Sequence, residues 1–205
     1  MPDDDQPAET RPPVLVERRG SIVVIRLDRP AERNPLSLDV LEELDRLVST
    51  LSTRTDISAL IFTGTGDAFA SGANIRELRA LTPATAAGFA HRGQRLMQKI
   101  ADAPQLSIAA VNGYCMGGGL DLALACHLRC ASPSAVFAHP GARLGIITGW
   151  GGTQRLPRLI GQARALEMFA TARRVTANEA YEIGLVNRVG DPVLEFAFAL
   201  ATTRA

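Results

Sequence analysis

The stretch AAVNGYCMGGGLDLA, residues 109–123, says more about this chain than any other. Its first part completes a short apolar run, Ser107–Asn112, that is typical of a strand buried on both faces. The glycines Gly117 to Gly119 then lead into an apolar helix, which is predicted over Leu120–Cys126. Glycine lets a ligand approach the main chain, and a helix start leaves N–H groups without intrahelical acceptors. This turn is therefore a candidate binding point for a negatively charged oxygen.

A second turn of the same kind lies earlier in the chain. The segment FASGANI, residues 69–75, also joins a strand to a glycine-containing turn and a helix start. Taken alone, each turn is more typical of tight packing than of a binding site. If the two turns meet, however, their N–H groups can converge on one oxygen atom and form an oxyanion hole.

Short apolar runs and amphipathic stretches alternate along the rest of the chain. Strands are predicted at Val14–Glu17, Ile22–Leu27, Ala59–Gly64, Leu128–Ala131 and Val136–Ala138, with a hairpin turn at 18–21. Helices are predicted from Ser37 onward, over Pro83–Ala101, over Ala163–Phe169, and from Thr176 onward. Alternation of this kind favours an α/β fold with parallel strand pairing.

Composition and charge exclude several classes of protein. With 205 residues, 46% of them hydrophobic and 21% charged, the chain is predicted to form one globular domain. A formal net charge of +1 gives no reason to expect nucleic acid or a membrane surface as a partner. There is no signal-peptide-like start and no membrane-spanning run, so a cytoplasmic location is predicted. The arginines of the second half, such as Arg155 and Arg158, fit either a solvated helix face or a site for an anionic substrate tail.

The cysteines Cys115, Cys126 and Cys130 are too few, and odd in number, for a disulfide framework. No Cys-x-x-Cys pair occurs, and His127 has no suitably spaced second histidine, so no metal site is predicted. We expect the three thiols to be small buried apolar side chains in a reducing compartment.

Four blocks of the sequence, in their order, resemble the crotonase (enoyl-CoA hydratase/isomerase) superfamily. They are residues 29–37 (RPAERNPLS), 71–78 (SGANIREL), 109–123, and 149–158 (GWGGTQRLPR). The resemblance runs from about Val14 to Val189 and implies a crotonase-like ββα spiral, an α/β fold, over residues 14–190. Residues 1–13 are expected to form a disordered tail and residues 191–205 a remnant C-terminal helix. The C-terminal helical trimerisation region is then largely missing, and an uncovered apolar face is expected.

The resemblance also implies a site. The N–H groups of Ala73 and Gly118 would hold the oxygen of an acyl-CoA or enoyl-CoA thioester. Coenzyme A enters as part of the substrate, with no permanently bound cofactor and no metal, and the chain is expected to form a homo-oligomer, a trimer or a dimer of trimers. The implied substrate-binding residues are Arg33, Asn34, Leu36, Ser71, Gly72, Asn74, Ile75, Tyr114 and Gly117.

Asp121 matches the first of the two glutamates that the hydratases of this family use. It lies three residues after Gly118, so on a helix its carboxylate returns to the same face. Aspartate is shorter than glutamate by one methylene, or roughly 1.5 Å of reach. The alternative is that Asp121 only complements the positive end of the helix dipole.

The second glutamate is absent. Its position, after the proline of a His-Pro-Glu type motif, is occupied by Gly141, and the chain contains no Asp or Glu between Leu122 and Leu166. The additional aspartate of the isomerases would fall at Gly149 and is absent too. His139 lies two residues before Gly141, and a histidine can act as general acid or base near neutral pH, although it can equally be structural.

Two functions of different class remain. The first is an enoyl-CoA hydratase or isomerase (a lyase or an isomerase) in fatty-acid oxidation. The second is a catalytically silent acyl-CoA-binding or assembly protein, which Gly141 favours. A thiol hydrolase based on Cys115 and His139 is a weaker alternative. The sequence lacks both a complete dinucleotide-binding glycine fingerprint and the Gly-x-Ser-x-Gly of serine hydrolases. Restoring a glutamate at position 141 is expected to raise hydration strongly if the missing carboxylate is the only defect.

Overall fold

The computed structural model describes residues 12–203, so the predicted tail lies almost entirely outside the described residues. A six-stranded sheet runs through the centre. In their order across the sheet, its strands are β1 (Val14–Arg19), β2 (Ile22–Leu27), β4 (Ala59–Gly64), β7 (Leu106–Val111), β9 (Leu128–Ala131) and β12 (Arg188–Val189). In this sheet only β1 and β2 pair antiparallel, through a turn in which Gly20 has a φ of 62°, and the other neighbours are parallel.

A smaller sheet carries the ends of the two glycine-containing turns. Its strands are β5 (Ala68–Ala70), β8 (Tyr114–Met116), β10 (Val136–Ala138) and β11 (Val175–Thr176), in the order β11-β10-β8-β5. Two further short strands, β3 (Pro35–Leu36) and β6 (Gly72–Ala73), pair with each other in parallel. Because β5 and β8 are parallel neighbours, the segments that follow them leave the sheet at the same edge.

Helices cover both faces of the central sheet. They are α1 (Leu38–Ser52), α2 (Ile75–Arg79), α3 (Pro83–Ala101), α4 (Gly118–Ala125), α5 (Gly152–Ile160), α6 (Gln162–Thr171), α7 (Ala177–Glu182) and α8 (Val193–Thr202). The larger core lies on the face that packs against α1, α3 and α4. On the other face, α8 contributes Val193, Ala197 and Ala201 to a smaller cluster with the sheet. Among the described residues, no helix is long and apolar enough to span a membrane.

The α/β prediction with parallel pairing is confirmed, and several elements have the predicted bounds, including β2, β4, β9, β10 and α3. The helix predicted from Leu120 begins two residues earlier, at Gly118. The sequence pattern does not predict α5, because glycines precede it and Pro157 lies inside it. All three cysteines are buried free thiols, as expected.

Candidate active site

The two glycine-containing turns meet in the structure. A Cβ atom added to Gly118 would lie 3.3 Å from the main-chain nitrogen of Ala73, and one added to Gly72 would lie 3.1 Å from the nitrogen of Gly118. Since a Cβ lies about 2.5 Å from its own nitrogen, the nitrogens of Ala73 and Gly118 are at most about 6 Å apart. One oxygen can accept hydrogen bonds of about 2.9 Å from both nitrogens at any separation below about 5.8 Å, which is nearly the whole of that range.

Close packing explains why the second turn is made of glycine. A Cβ on Gly118 would come within 2.4 Å of the Trp150 ring, so a side chain at this position has no room. Gly118 is also the first residue of α4, and its N–H therefore has no acceptor within the helix. In the first turn, Gly72 has a φ of 102°, which favours glycine.

Asp121 lies in the first turn of α4 with its side chain fully buried. Burial raises the pKa of its carboxyl from 3.8 to about 7. The hydrogen bond from Thr148, the charge of Arg155, and the main-chain N–H groups of Trp150 and Gly152 act in the opposite direction. The Thr148 hydroxyl donates to Oδ2, whereas Oδ1 has no hydrogen-bond partner within residues 12–203. The carboxyl is thus close to half ionised at neutral pH.

His139 faces the free oxygen of Asp121. It directly follows β10, whose partner strand β8 leads into the glycine turn, and the N–H of Gly117 donates to the carbonyl of Ala138 over 2.9 Å. His139 Nε2 lies 3.5 Å from Asp121 Oδ1 and has no hydrogen-bond partner in the described part of the chain. Burial lowers the pKa of His139 from 6.5 to about 4, so the imidazole is uncharged at neutral pH and the contact is not an ion pair.

A cavity of about 150 Å³ opens beside these groups. Of the residues predicted for the site, it is lined by Ser71, Gly72, Ala73, Ile75, Gly117, Gly118, Asp121, His139 and Gly141. Sequence reasoning missed other wall residues, among them Phe89, Thr148 and Trp150. The last of these lies in the 149–158 block, which had signalled the family without indicating any chemistry. The exposed rim is apolar, since Ile75, Leu144, Ile146 and Ile147 are between 47% and 64% exposed.

The remaining predicted substrate-binding residues do not line this cavity. The Arg33 guanidinium lies 5.2 Å above the Tyr114 ring, and its Nε is 3.4 Å from an Asp67 carboxylate oxygen, on the exposed surface beside the turns. The Asn74 side chain accepts a hydrogen bond from Arg76 N–H and caps α2.

Two of these residues have structural roles. The buried Asn34 amide donates to the carbonyl oxygens of Thr65 and Ala68 over 2.9 and 2.7 Å. The side chain of Leu36 is fully buried in the core. Both side chains are therefore out of reach of a ligand in this conformation.

Gly141 is tightly enclosed. It lies in a 3₁₀ turn, Pro140–Leu144, where a Cβ would approach the carbonyl oxygen of Ile146 to 2.6 Å. At Gly149, by contrast, the nearest atom to an added Cβ is Ala90 Cβ, at 3.8 Å. The cavity wall thus accepts a side chain at position 149 but not at position 141 without a movement of the main chain.

This difference predicts that two otherwise matched substitutions affect stability to different extents. We expect Gly141→Ala to lower the free energy of unfolding by about 1–3 kcal/mol, because it forces a main-chain shift. Gly149→Ala is expected to change it by less than about 0.5 kcal/mol. Urea unfolding of both variants and the wild type measures the effect. Equal stability of the two variants would show that the 140–147 loop can shift to accommodate a side chain at position 141 without a cost in stability.

The described residues offer little support for metal or thiol chemistry. No group of three or more His, Cys, Asp or Glu side chains there could hold a metal ion. Cys115 is fully buried and does not line the cavity, and burial raises the pKa of its thiol well above the usual value. A buried neutral thiol is a poor nucleophile, which argues against the thiol hydrolase alternative.

Comparisons with known proteins show the family. Residues 17–201 match the family described as Enoyl-CoA hydratase/isomerase. The chain is 37% identical over 180 residues to the short-chain-enoyl-CoA hydratase of Clostridium acetobutylicum, an alignment covering 87% of this chain and 69% of that protein. It is 39% identical over 180 residues to the crotonyl-CoA hydratase of Syntrophomonas wolfei, with the same shares covered.

A solved structure, an enoyl-CoA hydratase from Bacillus anthracis, superimposes with a TM-score of 0.88 at 38% identity. The superposition covers 92% of this chain and 75% of that one. The likeness confirms the crotonase-like fold that the sequence blocks imply.

Proposed function

This chain belongs to the enoyl-CoA hydratase/isomerase family, and on that premise we propose that it holds an enoyl-CoA thioester in the cavity and stabilises the enolate formed from it. The observation that carries the proposal is the close approach of the Ala73 and Gly118 nitrogens beside a buried carboxyl, that of Asp121. Coenzyme A takes part as the thioester-linked portion of the substrate, which stays attached throughout, and not as a resident cofactor.

The two main-chain N–H groups act on the thioester oxygen. Adding a nucleophile to the β-carbon, or removing a proton from the α-carbon, moves electrons onto that oxygen. Donors already aimed at this point stabilise the charge, and one such donor contributes about 3–4 kcal/mol to the transition state. Gly118 supplies its donor from the start of α4, where the helix dipole adds a partial positive charge.

Asp121 moves the proton. In hydration, the oxygen of a water molecule bonds to the β-carbon while the π electrons shift toward the thioester oxygen, and the carboxylate takes a proton from that water. The protonated Asp121 then returns the proton to the α-carbon as the enolate collapses, so the carboxylate is regenerated. In isomerisation, the same group takes a proton from the α-carbon and returns it to the γ-carbon. Either reaction needs only one carboxyl of intermediate pKa.

His139 assists Asp121 without carrying a charge. A neutral imidazole can donate to an ionised carboxylate or accept from a protonated one, according to its tautomer. With Nε2 at 3.5 Å from Oδ1, a small tightening on substrate binding suffices for a hydrogen bond. His139 therefore supports both states of Asp121 where the family glutamate is absent at Gly141.

The proposal predicts a pH dependence. Because the resting carboxylate must accept a proton, kcat/KM for hydration of crotonyl-CoA should rise about tenfold per pH unit below pH 7 and level off above it. The pKa of about 7 for Asp121 sets the turning point, and His139, with a pKa of about 4, stays neutral throughout this range. Initial rates between pH 5 and 9 measure the profile. A rate that is constant from pH 5 to 8 would remove Asp121 from the proton transfer.

The second candidate function is a silent acyl-CoA-binding protein, which the absence of a carboxylate at Gly141 favours. The test is turnover of crotonyl-CoA, followed by loss of the conjugated enone absorbance, alongside binding of butyryl-CoA. Binding of the saturated thioester without turnover of any unsaturated one would select the silent protein. A protein that neither binds butyryl-CoA nor turns over crotonyl-CoA would contradict both candidate functions.

The biological setting is also a proposal. Relatives named short-chain-enoyl-CoA hydratase and crotonyl-CoA hydratase support a short enoyl-CoA as the first substrate to try. Fatty-acid oxidation in the cytoplasm fits that chemistry. The exposed apolar rim around Ile147 is consistent with association into a homo-oligomer, which the mass of the protein in solution would test.

A further inference from the structure

Residues 148–152 form a cradle around the Asp121 carboxyl. Thr148 donates its hydroxyl proton to Oδ2, and the main-chain N–H groups of Trp150 and Gly152 face the same carboxyl. The approach is close: a Cβ on Gly152 would lie 2.2 Å from Asp121 Oδ1 and 3.1 Å from His139 Nε2. Only glycine at position 152 lets the main chain come so near.

The cradle makes the two carboxyl oxygens unequal. Oδ2 accepts the hydrogen bond of the Thr148 hydroxyl, whereas Oδ1 lies 3.5 Å from His139 Nε2. Among the described residues, no donor meets Oδ1 at hydrogen-bond geometry, the nearby N–H groups of Trp150 and Gly152 included. Oδ1 is therefore the oxygen whose lone pairs are free to take a proton, whereas Oδ2 already shares the proton of the Thr148 hydroxyl. The hydroxyl also fixes the rotamer of a short side chain, for which a misplacement of about 1 Å can reduce the rate a hundredfold.

From this geometry we propose that Thr148 is a positioning residue, which anchors Asp121 through Oδ2 and directs Oδ1 toward His139 and the cavity as the oxygen that carries the proton. The inference rests on the proposed function for its effect on turnover. The expected effect of Thr148 on the titration of the Asp121 carboxyl is independent of that function.

The other titratable or charged groups that face Asp121 are few in the described part of the chain. They are His139 after β10, Arg155 on α5 and Cys115 on β8. His139 and Cys115 are neutral at pH 7, because burial lowers the pKa of the first and raises that of the second. The Thr148 hydrogen bond and the charge of Arg155 are thus the main side-chain interactions that favour the ionised form of Asp121.

The experiment compares Thr148→Val, which keeps the shape but removes the hydroxyl, with Thr148→Ser, which keeps the hydroxyl. For Thr148→Val, we expect the acid limb of the kcat/KM profile with crotonyl-CoA to move up by about one pH unit, because a hydrogen bond to the carboxylate is lost. At pH 7, kcat should fall at least about tenfold while KM changes less than about threefold, since the oxyanion donors are untouched. Thr148→Ser should restore the wild-type limb to within about 0.3 pH unit.

A second measurement separates this inference from the proposed function. The carboxyl carbon of Asp121, labelled with ¹³C and assigned with Asp121→Asn, is titrated by NMR in the full chain without substrate. A midpoint that rises in Thr148→Val but not in Thr148→Ser supports the inference even if the wild type turns over no enoyl-CoA. An unchanged midpoint in Thr148→Val overturns it, even in an active enzyme. Thermal unfolding of both variants confirms that the comparison is between folded proteins.

Discussion

Replacing Asp121 by asparagine is expected to lower kcat for the hydration of crotonyl-CoA by about a thousandfold. Asparagine has nearly the same shape but can neither take nor return a proton, and residues 122–166 contain no other carboxylate to replace it. His139 cannot carry the reaction alone, because burial holds its pKa near 4 and makes it a weak base. Binding of butyryl-CoA should change by less than about threefold, since the Ala73 and Gly118 donors remain.

The matched control is Asp45→Asn. Asp45 is exposed on α1, where it pairs with Lys99, and its loss should leave kcat within about twofold of the wild type. If Asp121→Asn retains more than a tenth of the wild-type kcat, another group moves the proton.

The same variant has a second, independent signature in stability. The folded pKa of Asp121, about 7, lies above the ordinary value of 3.8, so between these pH values the folded state binds the extra proton. A group of this kind destabilises the fold as pH rises. The free energy of unfolding of the wild type, relative to Asp121→Asn, should therefore fall by about 1.4 kcal/mol per pH unit between pH 4 and 7.

His139 has the opposite linkage. Its folded pKa of about 4 lies below 6.5, so the unfolded state binds the extra proton and stability falls as pH decreases through this range. Between pH 4 and 6.5 the two contributions nearly cancel in the wild type, because folding in effect moves one proton from the imidazole to the carboxylate. In Asp121→Asn only the histidine contribution remains. Urea unfolding at several pH values gives the free energy of unfolding against pH for the wild type and for Asp121→Asn. If the two curves are parallel, Asp121 keeps an ordinary pKa.

The second large effect is expected at the oxyanion donors. Gly118→Ala should lower kcat/KM by about a thousandfold, because removing the alignment of one such donor costs about 10²–10³ in rate and the Trp150 wall is displaced as well. The added Cβ would lie 2.4 Å from the Trp150 ring and 3.3 Å from the Ala73 nitrogen, so either the start of α4 or the first turn must move.

The matched control for this substitution is Gly88→Ala. Gly88 lies in α3 with nothing within 4 Å of an added Cβ, and alanine there should be neutral or stabilising by up to about 1 kcal/mol. Rates are compared per folded molecule, with the folded fraction taken from urea unfolding, because overpacking at position 118 also costs about 1–3 kcal/mol of stability. Activity of Gly118→Ala within tenfold of the wild type would show that the Gly118 N–H is not an oxyanion donor.

The enclosed position of Gly141 changes the expected effect of Gly141→Glu on hydration. The sequence suggests that a glutamate there would restore efficient hydration. In the structure, however, the new side chain would start 2.6 Å from the Ile146 carbonyl oxygen. A glutamate at this position therefore needs a different course of the 140–147 loop before it can reach Asp121.

Local sequence patterns are enough to predict the main strands and helices and the residues that carry the chemistry. The strands Ala59–Gly64 and Ile22–Leu27 follow from local apolar pattern, and Asp121 faces the Gly118 turn because three residues return to one face of a helix. These are relations between near neighbours in the chain, which helix and strand geometry fix. The paired glycine turns indicated the family for the same reason, since each motif is short and contiguous.

How the Asp121 carboxyl is held depends on contacts between segments that are distant in the chain. Thr148 lies 27 residues after Asp121, and its contact with Oδ2 depends on how the loop before α5 packs against α4. Sequence spacing likewise does not specify the blocked space at Gly141, the core position of Leu36 or the approach of His139 Nε2 to Oδ1. The pKa values of Asp121 and His139 arise from burial, which is a property of the assembled core and not of any local pattern.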